Sequence, residues 1–291
     1  MNESKESPTR TPPDTIILSG GSIKGFLTLG AIQYIHDNLN TTSLTTFIGS
    51  SCGALIAYLL VIGYTPIEIM VYICTHDVLP KMTSSMDIVN AVNGQGAISF
   101  NFIHNILEKM TIEKVGRLLT MKELFEKSNK HLLCVTYNLT KDKPEILSHI
   151  SFPDLPCLTA VRMSSNLPLI FGSFKYQENF YIDGGITDNL GLRYIPTESK
   201  SSIAINIVDD MQYKPNSNIL EFMYHILAIP IRQLTKNVIS EMTEKNKNLK
   251  ILNLRDDKQP KVYDFNIKSS TRFEMFSNGY NACKEFLSET N

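Results

Sequence analysis

Twice within the first sixty residues, a short β-branched run ends in glycines and gives way to an apolar helix. Thr15-Ile16-Ile17-Leu18 stops at Ser19-Gly20-Gly21-Ser22-Ile23-Lys24-Gly25, and a helix is expected from about Phe26, with Leu29, Ile32 and Ile35 at three-residue spacing. Thr45 to Ile48 then runs into Gly49-Ser50-Ser51-Cys52-Gly53 and the apolar helix Ala54 to Leu60. A strand buried on both faces that feeds a helix packs beside a parallel neighbour, so the repeated unit predicts an α/β fold with a wound, mainly parallel sheet flanked by helices. His131 to Tyr137, Phe180 to Ile182 and Ser202 to Val208 read as further strands, and residues 218–291 read chiefly as helix. Residues 64–130 read mainly as helix. Pro80 to Gly96, with Met82, Ser84, Ser85, Met86, Asn93 and Gly94, breaks the pattern, as either a mobile interfacial cover or ordinary packing.

No linker divides the 291 residues, so a polar arm with three prolines at 1–14 and a single domain at 15–291 are expected. Lys plus Arg number 28 against 29 Asp plus Glu, a balance that gives no global field for nucleic acid. The most apolar run, Ala54 to Gly63, falls well short of the roughly 20 residues that span a bilayer. The arm has no apolar segment of the secretory kind, and the five cysteines are odd in number, widely spaced and without a CxxC pair. An intracellular protein, soluble or peripherally attached to a membrane, is the expectation.

Gly49-Ser50-Ser51-Cys52-Gly53 has GxSxG spacing with a strand before and a helix after, the context of a nucleophile elbow centred on Ser51. The bland alternative is a structural turn in which Ser51 caps the helix. A serine nucleophile needs donors for the oxyanion, and the backbone amides of Gly20, Gly21 and Ser22 can supply them. A nucleotide-binding loop fits poorly, because Phe26-Leu27 follows Gly25 and no third glycine stands at Ser22. For the base, the six histidines (36, 76, 104, 131, 149 and 225) sit in helix- or strand-like stretches, whereas Asp183 follows Tyr181-Ile182 and precedes Gly184-Gly185. A desolvated carboxylate at such a strand end can act directly as a base; an Asp-Gly turn of no function is the alternative.

Glycine-rich loop, GxSxG elbow and Asp-Gly-Gly, in that order, resemble the patatin-like phospholipase family. Ala160, Ser164-Ser165, Leu167-Pro168, Phe171 and Asn189 extend the likeness, which covers roughly residues 15–208. The resemblance implies a three-layer α/β/α fold and a Ser-Asp dyad without histidine. Ser51 would be the nucleophile and Asp183 the proton acceptor. Gly20, Gly21 and Ser22 would form the oxyanion hole, and Lys24, Gly25, Gly49, Gly53, Gly184 and Gly185 would support the motifs. It further implies hydrolysis of acyl esters of a lipid substrate at a membrane or lipid-droplet surface through an acyl-enzyme, with no metal and no cofactor. The chain departs from the family at Ser22, where a third glycine is usual, at Ser19, where some members have aspartate, at Lys24, where many have arginine, and at Gly191, where proline is common. Two rivals stand beside this reading: a Ser-Asp-His triad completed by His225, and a catalytically silent scaffold that binds lipid or a protein partner.

Overall fold

The computed structural model describes residues 11–76, 78–84, 87, 89–90, 93, 96–208, 219–256 and 265–289. Among them, eight strands form one sheet: β1 (Thr15–Leu18), β2 (Thr46–Ser50), β3 (His131–Asn138), β4 (Lys143–Leu147), β5 (Phe174–Tyr176), β6 (Asn179–Asp183), β7 (Ser202–Ile207) and β8 (Leu249–Leu254), ordered β5-β6-β3-β2-β1-β7-β8 with β4 also on β3. The neighbours β3-β2-β1-β7-β8 are parallel, whereas β4 and β6 run against β3, and β5 against β6. The sheet is therefore mixed and mostly parallel.

Alternate side chains of the central strands serve different cores, as the two-residue period of a strand requires. Ile16, Leu18, Phe47, Ile203 and Ile205 point to the larger one. That core is completed by α1 (Gly25–Asn38), α2 (Cys52–Val61), α3 (Pro66–Thr75), α4 (Val78–Ser84), α5 (Asn101–Val115), α6 (Met121–Ser128), α7 (Cys157–Ser164) and α9 (Ser269–Glu289). Ile17, Ile48, Val135 and Ala204 point the other way, to Val238 and Ile239 of the long helix α8 (Ile219–Lys245). Helices thus cover both faces, and the layers are α/β/α.

The 218–291 region contains a strand, β8, where helix was expected. Leu249-Lys-Ile-Leu-Asn-Leu254 is a six-residue segment with four apolar side chains, too short for periodicity to separate strand from helix, and pairing with β7 decides it. Strands β4 and β5 are likewise short and were not anticipated. Pro13 is buried, and Asp14 accepts from Thr45 N, Thr46 N, Ser199 Oγ and Lys200 N, so the chain is already knit to the sheet before β1. Residues 1–10 lie outside the described residues.

Part of the expected cover at Pro80 to Gly96 is helix α4, and Met82 is 2% exposed against the core, which removes it from any interfacial role. Ser85, Met86 and Gly94 lie outside the described residues. All five cysteines are unpaired thiols, and burial pushes those of Cys52, Cys134 and Cys283 up to about 12. No single described helix is long and apolar enough to cross a membrane.

Candidate active site

Two strand ends meet head-on at the site. Along β3, β4 takes one edge over residues 134–138, so β2, paired as far as Ser50 opposite Val135, and β6, whose Asp183 stands opposite Thr136, must share the other. β2 rises to Ser50 and the antiparallel β6 descends to Asp183, on successive residues of one neighbour. Ser51 and Asp183 are brought together by this register, although 132 positions separate them in the chain.

Ser51 has φ 55° and ψ −128°, a sparsely populated combination that exposes its side chain at the sharp strand-to-helix reversal. It stands at the N-cap of α2 but makes no side-chain cap hydrogen bond, so its hydroxyl is not spent on the helix as the structural-turn alternative required. The glycines around it are steric necessities. A Cβ at Gly49 would lie 2.6 Å from the backbone of Ala54, one at Gly53 2.2 Å from Leu18 O, and one at Gly184 2.2 Å from Val135 O. Gly25 likewise leaves room for Cys52 Sγ, which a Cβ there would meet at 2.6 Å.

Asp183 is 2% exposed and accepts the Gly185 N–H at 2.7 Å through Oδ1, while Oδ2 is buried without a hydrogen-bond partner. Loss of solvation pushes its pKa from 3.8 up to about 7, against the opposing influence of the facing Ser51 hydroxyl and the Gly185 amide. The consecutive residues Ser164, Ser165 and Asn166 fasten both partners. Ser51 N donates to Ser164 O at 3.2 Å, Ser165 Oγ to Ser51 O at 2.9 Å, and Asp183 N to Asn166 O at 3.1 Å. Ser164 and Ser165, which the sequence marks only by family likeness, fix the elbow through these bonds.

In the glycine-rich loop, the amide of Gly20 is already engaged: it donates to Asn189 Oδ1 at 3.1 Å, while Asn189 Nδ2 returns a 3.4 Å bond to Gly20 O. This corrects the expectation that the Gly20 amide is open to an oxyanion. Ser22 takes the glycine-like conformation, φ 49°, despite its side chain. Ser19 accepts the Ile207 N–H at 2.8 Å and so ties the loop to β7. Gly191 has φ 64°, which proline cannot adopt.

Two cavities meet at Ser51, sharing Ser22, Ser51 and Leu167. One, of about 170 Å³, runs into the larger core between Leu29, Leu55, Ile69, Met82, Ile106 and Met110. The other, of about 410 Å³, opens between the carboxyl ends of β1, β7 and β8 and the side of α8, beside the point where the strand order reverses. It holds Asp183 and Lys24, with Asn206, Arg232, Lys236, Asn253 and Arg255, none of which had been singled out from the sequence. No local motif marks them; tertiary packing alone assembles the wall. No histidine lines either cavity among the described residues, and His225 is buried elsewhere on α8, which removes the triad alternative.

An elbow serine on a three-layer α/β/α sheet, at the junction of two cavities, defines the class of protein. A model of the patatin-like phospholipase family matches residues 16–195, and the chain belongs to that family. It is 36% identical over 177 residues, 60% of each chain, to the probable lipid hydrolase 463L of Invertebrate iridescent virus 6. It is 24% identical over 288 residues to the uncharacterized protein R571 of Acanthamoeba polyphaga mimivirus, covering 93% of this chain and 92% of that one. Among solved structures it resembles VipD from Legionella pneumophila (TM-score 0.54, 17% identity, 96% of this chain and 67% of that). It also resembles ExoU of Pseudomonas aeruginosa, solved with SpcU (TM-score 0.55, 12% identity, 96% and 53%). The chain thus spans 60% of the iridescent-virus relative's length.

Proposed function

We propose that the chain is a lipid acyl hydrolase in which Ser51 and Asp183 form a catalytic dyad. The observation that carries this reading is the placement of the Ser51 hydroxyl between an apolar pocket and a polar cavity, against a buried carboxyl whose pKa of about 7 suits a base at neutral pH. An acyl chain fits the apolar side and the alcohol portion of an ester fits the polar side. The name of the iridescent-virus relative, a probable lipid hydrolase, supports the same chemistry.

Ser51 Oγ attacks the acyl carbonyl carbon while Asp183 Oδ2, which has no other partner, accepts the hydroxyl proton. The oxyanion is met by the amides of Gly21 and Ser22, helped by the N-terminus of α2. The tetrahedral adduct collapses, the carbon–oxygen bond to the alcohol breaks, and Asp183 returns the proton to the leaving oxygen. Water, deprotonated by Asp183, then adds to the acyl carbonyl; the adduct collapses, its bond to Ser51 Oγ breaks, and Asp183 returns the proton to Ser51 as the fatty acid leaves.

The decisive test is fatty-acid release from phospholipid vesicles and from a short-chain nitrophenyl ester, in a calcium chelator, by the native chain, Ser51→Ala and Asp183→Asn. Both variants should lose at least about a thousandfold in turnover, and a fluorophosphonate should label Ser51. Native-like turnover by either variant would refute the dyad.

A further inference from the structure

The larger cavity at Ser51 has a charge pattern that a generic ester site does not need. Lys24, Arg232, Lys236 and Arg255 all line it, and Asp183 is the only carboxylate in its lining among the described residues. The chain as a whole carries a formal charge of −1, so this is a local concentration of positive charge. Arg232 and Lys236 stand four residues apart on α8 and present one face to the cavity; Arg255 follows the end of β8. Between them lies Asn206, 5% exposed, whose Nδ2 donates to Asn253 Oδ1 at 2.8 Å while its own Oδ1 is buried with no partner. A buried amide acceptor without a donor is costly unless a ligand supplies one.

From this geometry we infer that the cavity is a head-group site for anionic glycerophospholipids. The phosphate is held by Arg232, Lys236 and Arg255, and a head-group hydroxyl donates to Asn206. Guanidinium and ammonium groups make charge-assisted bonds to phosphate oxygens, and the Arg fork does so in pairs. The trimethylammonium of a choline lipid would meet the same cations and be repelled, and a neutral glyceride offers them no phosphate. The acyl chain of the bound lipid runs into the apolar pocket, since the two cavities share Ser51. Asn206, Arg232, Lys236 and Arg255 all lie beyond the family-matched 16–195, so the selectivity rests on α8 and the ends of β7 and β8 rather than on the matched motifs. Its expression in turnover rests on the acyl hydrolase reading; binding does not.

The test uses the full chain and Arg232→Gln/Lys236→Gln, with Lys236→Gln alone as an exposed-site variant that preserves folding, and Lys127→Gln on the distant α6 as a charge-matched control. Calorimetric titration with sn-glycerol 3-phosphate should show binding that weakens about tenfold or more in the double variant, less in the single and not at all in the control. Turnover of phosphatidylglycerol vesicles relative to phosphatidylcholine vesicles should fall about tenfold in parallel. Undetectable glycerol phosphate binding, or binding indifferent to the substitutions, overturns the assignment. Inorganic phosphate binding as tightly as glycerol phosphate, with an unchanged vesicle ratio, overturns the lipid source in favour of free phosphate. Should the native chain cleave no ester while glycerol phosphate binding still depends on Arg232 and Lys236, the hydrolase reading fails and the head-group site stands.

Discussion

Asn189 and Gly20 are joined by two hydrogen bonds across the site, the Gly20 N–H donating to Asn189 Oδ1 at 3.1 Å and Asn189 Nδ2 to Gly20 O at 3.4 Å. A Cβ on Gly20 would sit 2.7 Å from that Oδ1 and 2.8 Å from Ser51 Cβ, so the pair sets how closely the glycine-rich loop approaches Ser51. Asn189→Ala should lower kcat about 10- to 100-fold with a smaller change in KM, since donors displaced by a fraction of an ångström act mainly on the transition state. Asn189→Asp keeps an acceptor for Gly20 but adds a negative charge near Asp183, and its pH–rate profile should move to higher pH. Steady-state kinetics across pH checks both.

Asp183, raised to about 7 chiefly by burial, must be ionised to accept a proton, so kcat/KM should rise with pH through a midpoint near 7 and then level off. The linkage to stability has the opposite sense. From about pH 4 to about pH 7 the native state holds a proton that the unfolded chain releases, so this group's contribution to stability falls as pH rises and stays low above 7. Asp183→Asn should therefore be inactive yet more stable than the native chain at pH 8, by up to about 4 kcal/mol, with the difference vanishing near pH 4. Denaturant titrations at the two pH values measure this.

Ser22 holds φ 49° where glycine would do so without strain. Ser22→Gly should change stability by no more than about 1 kcal/mol, because relief of strain is offset by the freer unfolded chain. Ser22→Val should cost at least about 2 kcal/mol, since a β-branched residue resists this conformation. Thermal unfolding of the two variants distinguishes a tolerated serine from a required one.

Gly191→Pro would install the residue common in the family, and it should destabilise this chain by about 3 kcal/mol or more. Proline cannot take φ 64°, and it would remove the N–H that donates to Asp188 Oδ1 at 2.7 Å. The midpoint of urea unfolding reports the loss.

Ile219, Phe222, Met223, Ile226 and Ile229 are exposed along one stripe of α8, beside the face that lines the polar cavity. An interfacial contact is therefore predicted for this stripe and not for the buried Met82. Ile226→Asp combined with Ile229→Asp should reduce vesicle turnover about tenfold more than turnover of the soluble ester. Co-sedimentation with vesicles should fall in step.

Much of the fold was legible because its signals are local. A β-branched run that stops at glycine and feeds an apolar helix can hardly form anything but a strand-turn-helix unit, and Ser51 and Asp183 each announce themselves by flanking glycines. β8 is not legible because a six-residue segment with four apolar side chains fits a strand or a helix equally until β7 offers an edge. The polar cavity is not legible in the sequence for a deeper reason: Asn206 on β7, Arg232 and Lys236 on α8, and Arg255 just past β8 are ordinary residues, and only the packing of α8 over the strand ends makes them neighbours.

By itself the sequence determined the elbow, the glycine-rich loop, the aspartate and the wound α/β frame, because backbone sterics at glycines and the periodicity of apolar residues act over a few positions. Only the tertiary structure decided which strand edge β6 would take, and hence that Asp183 faces Ser51. It also decided that Asn189 would claim the Gly20 amide, and that Arg232, Lys236 and Arg255 would line one cavity with Ser51. Each of these depends on register and on burial, which arise from contacts between segments far apart in the chain.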